Sequence, residues 1–227
     1  MLDGQLTVTP SYPMTTVGLI QAMTEQGVIK NLGTGVMVGP NILVTSSRLV
    51  PWDEIPTTAM LFIPGYDPNS ATQDPPEPFG SAWITQVYGY ESASTSPPYD
   101  VYVCHVGTDI GNTTGWCGVP SLPNPASYNN MLCLVLGFGA NGLTGGNLGW
   151  DSRNVLSAAQ STDNFFTLDI PIEPSDFPTG AVVWNIESDG FPYIIGVYSH
   201  PVNEIEGAFT GGPSFLAMVK WAYTNWN

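Results

Sequence analysis

Bases are nearly absent from this chain. Lys30, Arg48, Arg153 and Lys220 are its only lysines and arginines against 19 acidic residues, a formal net charge of −15 over 227 residues. Such a surface repels phosphate backbones and anionic headgroups, which argues against nucleic acid and membrane surfaces as partners. Long hydrophobic runs are missing too, and none approaches the roughly 18 to 20 residues of a bilayer-spanning helix. The three cysteines, Cys104, Cys117 and Cys133, cannot all pair within the chain, and none has C-x-x-C spacing, so at most one disulfide is expected. With His105 and His200 as the only histidines, no zinc-ligand spacing exists, and neither a metal nor a cofactor is expected. The start MLDGQLT lacks the charged and apolar regions of a signal peptide, and Met1 reads as a start placed on a mature chain.

What is present is enough apolar material for a core. Hydrophobic residues make up 43% of the chain and are spread in short runs, so the 25 glycines and 21 prolines punctuate turns rather than signal disorder. Runs of four to eight apolar and β-branched residues recur at 17–23, 35–38, 42–45, 60–63, 82–88, 101–106, 131–137, 165–170, 181–185 and 193–198. That rhythm predicts antiparallel strands in a barrel or sandwich. Gly39-Pro40-Asn41 and Ser188-Asp189-Gly190 read as hairpin turns, and 64–80 as a long proline-rich loop. The only good helical periodicity is terminal, Ser214 to Tyr223, with Ser214 as its expected cap.

Gly33 to Val50, GTGVMVGPNILVTSSRLV, carries the sharpest signal. It resembles the G-T-G-x-x-x-G-P-x-x-x-x-T-A-G-H-C-V segment of trypsin-like serine proteases, in their glutamyl endopeptidase branch, with Arg48 where the histidine stands. Tyr99-Asp100-Val101-Tyr102-Val103 with Gly111-Asn112-Thr113-Thr114-Gly115-Trp116 is similar to that branch's Y-D-Y-A run and G-N-x-x-G-W turn. Leu168-Asp169 through Trp184, followed by Gly196-Val197-Tyr198-Ser199, looks like its D-x-x-G-x-S-G-S-P-V and G-I-H-S segments, and Thr224-Asn225-Trp226 like its ending. The resemblance implies an all-β fold: two six-stranded antiparallel β-barrels (about 12–110 and 111–213) in one domain, with a C-terminal helix at about 214–223. It implies secretion as well, with which the sequon at Asn112 is compatible; a cytoplasmic location stays open.

The resemblance places Arg48 at the base position, Asp100 at the orienting aspartate and Thr179 at the nucleophile, with Ser175 as the fallback hydroxyl if the third segment is offset. Only Asp100 matches the family. An arginine holds its proton above about pH 12 and offers no lone pair, so it cannot take the hydroxyl proton. Phe177 stands where the family has the glycine of its oxyanion hole, Pro178 stiffens the same turn, and Tyr198 replaces the histidine that receives an acidic side chain. These substitutions imply an inactive protease homologue retained to bind a protein, a peptide or another macromolecule, with Tyr198, Ser199, His200 and Phe177 lining its cleft. An ion pair between Arg48 and Asp100, to which a bidentate bond is open, is the expected use of the altered site. A working hydrolase through another hydroxyl, with His200 a better substitute base than His105, is the alternative. A third reading is a glycan-binding module, drawn from Trp52, Trp83, Trp116 and Trp150 in or near loops. The glycine-rich 137–146 stretch has no following helix or lysine and reads as a loop rather than a phosphate cradle. The oligomeric state is not legible.

Overall fold

The computed structural model describes residues 4–5, 11–51, 58–68, 77–90, 99–120, 122–138, 148–172, 179–186 and 190–226. Ser175, Phe177, Pro178, Trp52, most of the glycine-rich stretch and the Ser188-Asp189 turn lie outside them.

After a two-residue strand β1 (Gly4–Gln5), six strands follow: β2 (Val17–Thr24), β3 (Ile29–Met37), β4 (Ile42–Thr45), β5 (Thr58–Pro64), β6 (Ala82–Gly89) and β7 (Tyr102–Val106). They close into an antiparallel barrel in the order β2-β3-β4-β7-β6-β5. A short helical turn, α1 (Gly111–Thr114), leads into the second half: β8 (Leu132–Phe138), β9 (Leu148–Asn154), β10 (Ser157–Gln160), β11 (Phe166–Ile170), β12 (Val182–Ile186), β13 (Pro192–Asn203) and β14 (Glu206–Gly211). With β1 these make one eight-stranded sheet ordered β1-β9-β8-β12-β13-β14-β11-β10. The helix α2 (Pro213–Asn225) closes the chain. This is the all-β, two-module frame with a terminal helix that the sequence predicts; the second module carries eight strands rather than six because β1 and β10 extend its edges.

Burial explains why the strands read as continuous apolar runs. Leu19 of β2 joins Val36, Val44, Leu136, Phe138, Val182 and Val197 in a core between the two modules. Its neighbour Ile20 points the other way, into the barrel with Met37, Leu43, Phe62 and Tyr102. A strand covered on both faces cannot alternate apolar with polar residues. A third core, with Val135, Leu168, Val183 and Phe209, fills the second module.

Three strands escape the hydrophobic pattern. β9 runs through Asp151-Ser152-Arg153-Asn154, where Arg153 Nη2 meets the buried Asp151 carboxylate at 2.5 Å, so two charges of opposite sign stand together in the strand. β10 is mostly exposed and polar, and β14 is diluted by glycine. The terminal helix starts one residue before the expected cap, with Gly212 at the N-cap and Pro213 in the first turn. Ser214 donates its hydroxyl to the Asp163 carbonyl instead of capping. Phe215, Met218, Val219 and Ala222 bury the predicted face. All three cysteines are free and buried, so the one disulfide that the count allows is not formed. Among the described residues no helix is long and apolar enough to cross a membrane.

Candidate functional site

Strand register builds the site. Thr45, the last residue of β4, pairs with Tyr102, the first of β7, so the residues after one and before the other leave the barrel at the same end. Ser46 to Leu49 leave β4 as a 3-10 turn, and Asp100 precedes β7. The turn wraps the carboxylate. Oδ1 of Asp100 accepts the hydroxyls of Ser46 (2.6 Å) and Ser47 (2.7 Å) and the backbone N–H of Arg48 (3.3 Å). Ser46 Oγ also accepts the Arg48 N–H at 3.2 Å, which caps the turn.

The other oxygen faces a cation. Arg48 Nε stands 2.9 Å from Asp100 Oδ2; the aspartate is 0% exposed and the arginine side chain 31%. The ion pair expected from sequence is formed, though not in the bidentate form open to it. Only Nε makes the contact, and its N–H is not aimed along it, so the pair is Coulombic rather than fork-on-fork. The reason is local: Ser46, Ser47 and the Arg48 amide already crowd Oδ1, leaving one oxygen for the guanidinium.

The second module brings Thr179 to this place. Thr34 of β3 donates its N–H to the Thr179 carbonyl at 3.1 Å, and Thr45 Oγ1 donates to the Thr34 carbonyl at 2.7 Å. Gly180 follows with φ +84°, and a Cβ on it would lie 2.3 Å from the Thr34 carbonyl oxygen and 3.2 Å from a Leu49 methyl. The Thr179 turn therefore seats against the residue next to Arg48. Thr179 is half-buried, and among the described residues its hydroxyl has no hydrogen-bond partner.

β13 forms another wall. Tyr198 and Ser199 are buried and His200 is half-buried, with a bulge between Tyr198 and His200. His200 Nδ1 lies 3.2 Å from Ser199 Oγ. Burial lowers the His200 pKa from its ordinary 6.5, the Arg48 charge lowers it further, and Asp100 and Asp169 oppose the shift. Burial pushes Tyr198 up to about 12 against the opposing pull of Arg48. One guanidinium thus acts on both.

The structure gathers Arg48, Asp100, Thr179, Tyr198, Ser199 and His200 from four separated segments. His105 belongs elsewhere, with Nδ1 2.7 Å from Thr85 Oγ1 and its ring beside Trp226. Of the tryptophans weighed from sequence, Trp116 lines a cavity of about 390 Å³ shared with Tyr12, Phe191 and Tyr193. Among the described residues no cluster of His, Cys, Asp or Glu could hold a metal ion. Sequence reasoning missed the Ser46-Ser47 clamp. The signal was there, two hydroxyls directly before Arg48, yet only the register of β4 on β7 shows that they reach Asp100.

No family model and no curated protein matches the chain. Solved structures do. A Glu endopeptidase is 17% identical with a TM-score of 0.72, over 98% of this chain and 96% of its own. The protease Anisep from Arthrobacter nicotinovorans is 16% identical with a TM-score of 0.63, over 90% and 91%. HL collagenase is 13% identical with a TM-score of 0.69, over 99% of both chains. The chain has the fold of the trypsin-like serine proteases.

Proposed function

We propose that this protein is a catalytically inactive homologue of the serine endopeptidases, retained as a binding module for a protein or other macromolecule. The observation that carries this reading is the 2.9 Å contact between Arg48 Nε and Asp100 Oδ2. An imidazole in a working triad would need that carboxylate edge, and here a group that does not release its proton below about pH 12 holds it. A positioned general base is worth about 10²- to 10⁴-fold in rate, and none stands within hydrogen-bond reach of the Thr179 hydroxyl among the described residues. His200 does not replace it, because its near neighbour is Ser199, too deeply buried to meet a substrate carbonyl.

The test is a fluorophosphonate probe together with peptide and ester hydrolysis on purified protein. No labelling and no turnover are expected; stoichiometric modification of Thr179 or Ser175 would overturn the assignment. A second reading, glycan binding, draws on the exposed rings of Tyr12, Trp116 and Phe191 around one groove. A glycan array with Trp116→Ala as control decides it, and signals unchanged by that variant count against it.

A further inference from the structure

Gly115, Trp116 and Gly118 line the cavity of about 390 Å³ together with Tyr12, Phe191 and Tyr193. Both glycines make room for a tyrosine ring. A Cβ on Gly115 would lie 2.6 Å from a Tyr12 ring carbon, and one on Gly118 would lie 2.7 Å from a ring carbon of Tyr193. The two tyrosines are also tied down. The Tyr12 hydroxyl donates to the Trp116 carbonyl at 3.3 Å. Gly118 holds the chain on either side of Tyr193, donating its N–H to the Pro192 carbonyl at 3.0 Å and accepting the Ile194 N–H at 2.8 Å. Trp116 is 41% exposed, Tyr12 47% and Phe191 59%, so aromatic surface faces solvent around the cavity. None of these residues belongs to the Arg48 cleft. Tyr193 and His200 stand seven positions apart on β13, roughly 20 Å of extended strand.

We propose that this aromatic cavity receives an arginine side chain from a basic segment of a partner protein. The inference rests on the binding-module reading and adds the docking surface and the chemistry of the partner. The face of an aromatic ring is the negative pole of its quadrupole and attracts a cation placed over it, and a planar guanidinium also stacks there. Rings held in place before the ligand arrives lose little freedom on binding. Charge sets the sign of the partner. The chain carries −15, and none of its four lysines and arginines lines the cavity, so its field draws cations in and no resident cation competes with them. No acidic side chain lines the cavity either among the described residues, so the rings rather than an ion pair form the seat. A glycan fits this lining less well, because it needs several fixed polar partners for its hydroxyls. Among the described residues the tyrosine hydroxyls and the Trp116 indole are the only polar side-chain groups there.

The experiment is calorimetric titration of the full chain, at about 0.15 M salt to screen the general surface charge, with acetyl-Gly-Arg-Gly-Arg-Gly-Arg-Gly-amide and its citrulline counterpart. Citrulline keeps the planar group and removes its charge. The arginine peptide is expected to bind about fivefold tighter than the citrulline one, or better, and Trp116→Ala and Phe191→Ala are each expected to shrink that preference by about half or more. Equal binding of the two peptides, no binding by either at millimolar concentration, or a preference unchanged in both variants overturns the proposal; the last result would place the cation elsewhere on the acidic surface. Chitotriose and cellotetraose are titrated alongside. Trp116-dependent binding of either sugar without binding of the arginine peptide also overturns the proposal and hands the cavity to the glycan reading. The wild-type comparison needs no variant, so a misfolded substitution does not protect the idea. Fluorophosphonate labelling of the same preparation separates the two conclusions: labelling alongside a Trp116-dependent arginine preference sinks the inactive reading only, and absence of both sinks the aromatic site only.

Discussion

Thr34 donates its backbone N–H to the carbonyl oxygen of Thr179 at 3.1 Å, tying a turn of the second module to the first barrel. The bond needs two adjacent residues without side chains. A Cβ on Gly33 would lie 2.4 Å from the Leu49 methyls and 2.5 Å from the Thr179 carbonyl oxygen, and one on Gly180 would collide with the Thr34 carbonyl.

Gly180→Ala is therefore expected to destabilise by about 3 to 5 kcal/mol, combining left-handed backbone strain with overpacking. In a protein of this size that lowers Tm by about 6 to 20 °C. Gly27→Ala is the control, since φ is +77° but nothing lies within 4 Å of the added carbon. It should cost only the backbone strain, about 1 to 2 kcal/mol. Equal losses in thermal melts would show that the Thr34–Thr179 approach is not tight.

Removing the cation should leave Asp100 Oδ2 buried without a partner while Oδ1 keeps its three donors. Because Arg48 is partly solvated and the carboxylate is already half-satisfied, the cost of Arg48→Ala is about 2 to 3 kcal/mol rather than the larger value of a fully buried pair. Chemical denaturation of Arg48→Ala, Asp100→Asn and the double variant measures the coupling; strictly additive losses would show that the two groups do not interact.

Ser46→Ala and Ser47→Ala each delete one hydroxyl donor to a buried carboxylate and should cost about 1 to 2 kcal/mol. The Ser46 variant loses the turn cap as well and should be the weaker of the two. A Ser46→Ala protein as stable as wild type would show that the clamp carries no weight.

Stability should depend on pH through His200. Its folded pKa lies below 6.5, because of burial first and the Arg48 charge second, so the unfolded chain binds more protons between the two values. The His200 contribution is complete above about pH 6.5 and is lost as pH falls from there toward the folded pKa. NMR titration of the imidazole C–H should give a midpoint below 6.5 that rises in Arg48→Gln. A midpoint unmoved by that substitution would separate the two residues.

The thiols should be silent in the native protein. Burial pushes Cys117 and Cys133 up to about 12 and Cys104 higher still, and only the thiolate reacts. Ellman's reagent at pH 8 is expected to find no accessible thiol before unfolding and three in guanidinium. Fewer than three after unfolding would reveal a disulfide.

Arg48, Asp100 and Thr179 were legible as a set because the order and spacing of the segments around them follow a known pattern, and β-branched runs marked most of the strands. β9 and β10 were not legible, since pairing with β8 and β11 holds them in the sheet without a continuous run of buried apolar side chains. The bond form between Arg48 and Asp100 was not legible either, because it depends on Ser46 and Ser47 occupying the same carboxylate oxygen.

By itself the sequence determined what each group can do: a guanidinium cannot accept a proton, and a chain with four lysines and arginines has few cations to place. Only the tertiary structure decided where those capacities meet. The register of β4 on β7 set Arg48 against Asp100, and the close approach of Gly180 to Thr34 brought Thr179 beside them. Local chemistry is a property of residues, whereas juxtaposition across about 50 to 150 positions is fixed by strand pairing and packing that no single segment encodes.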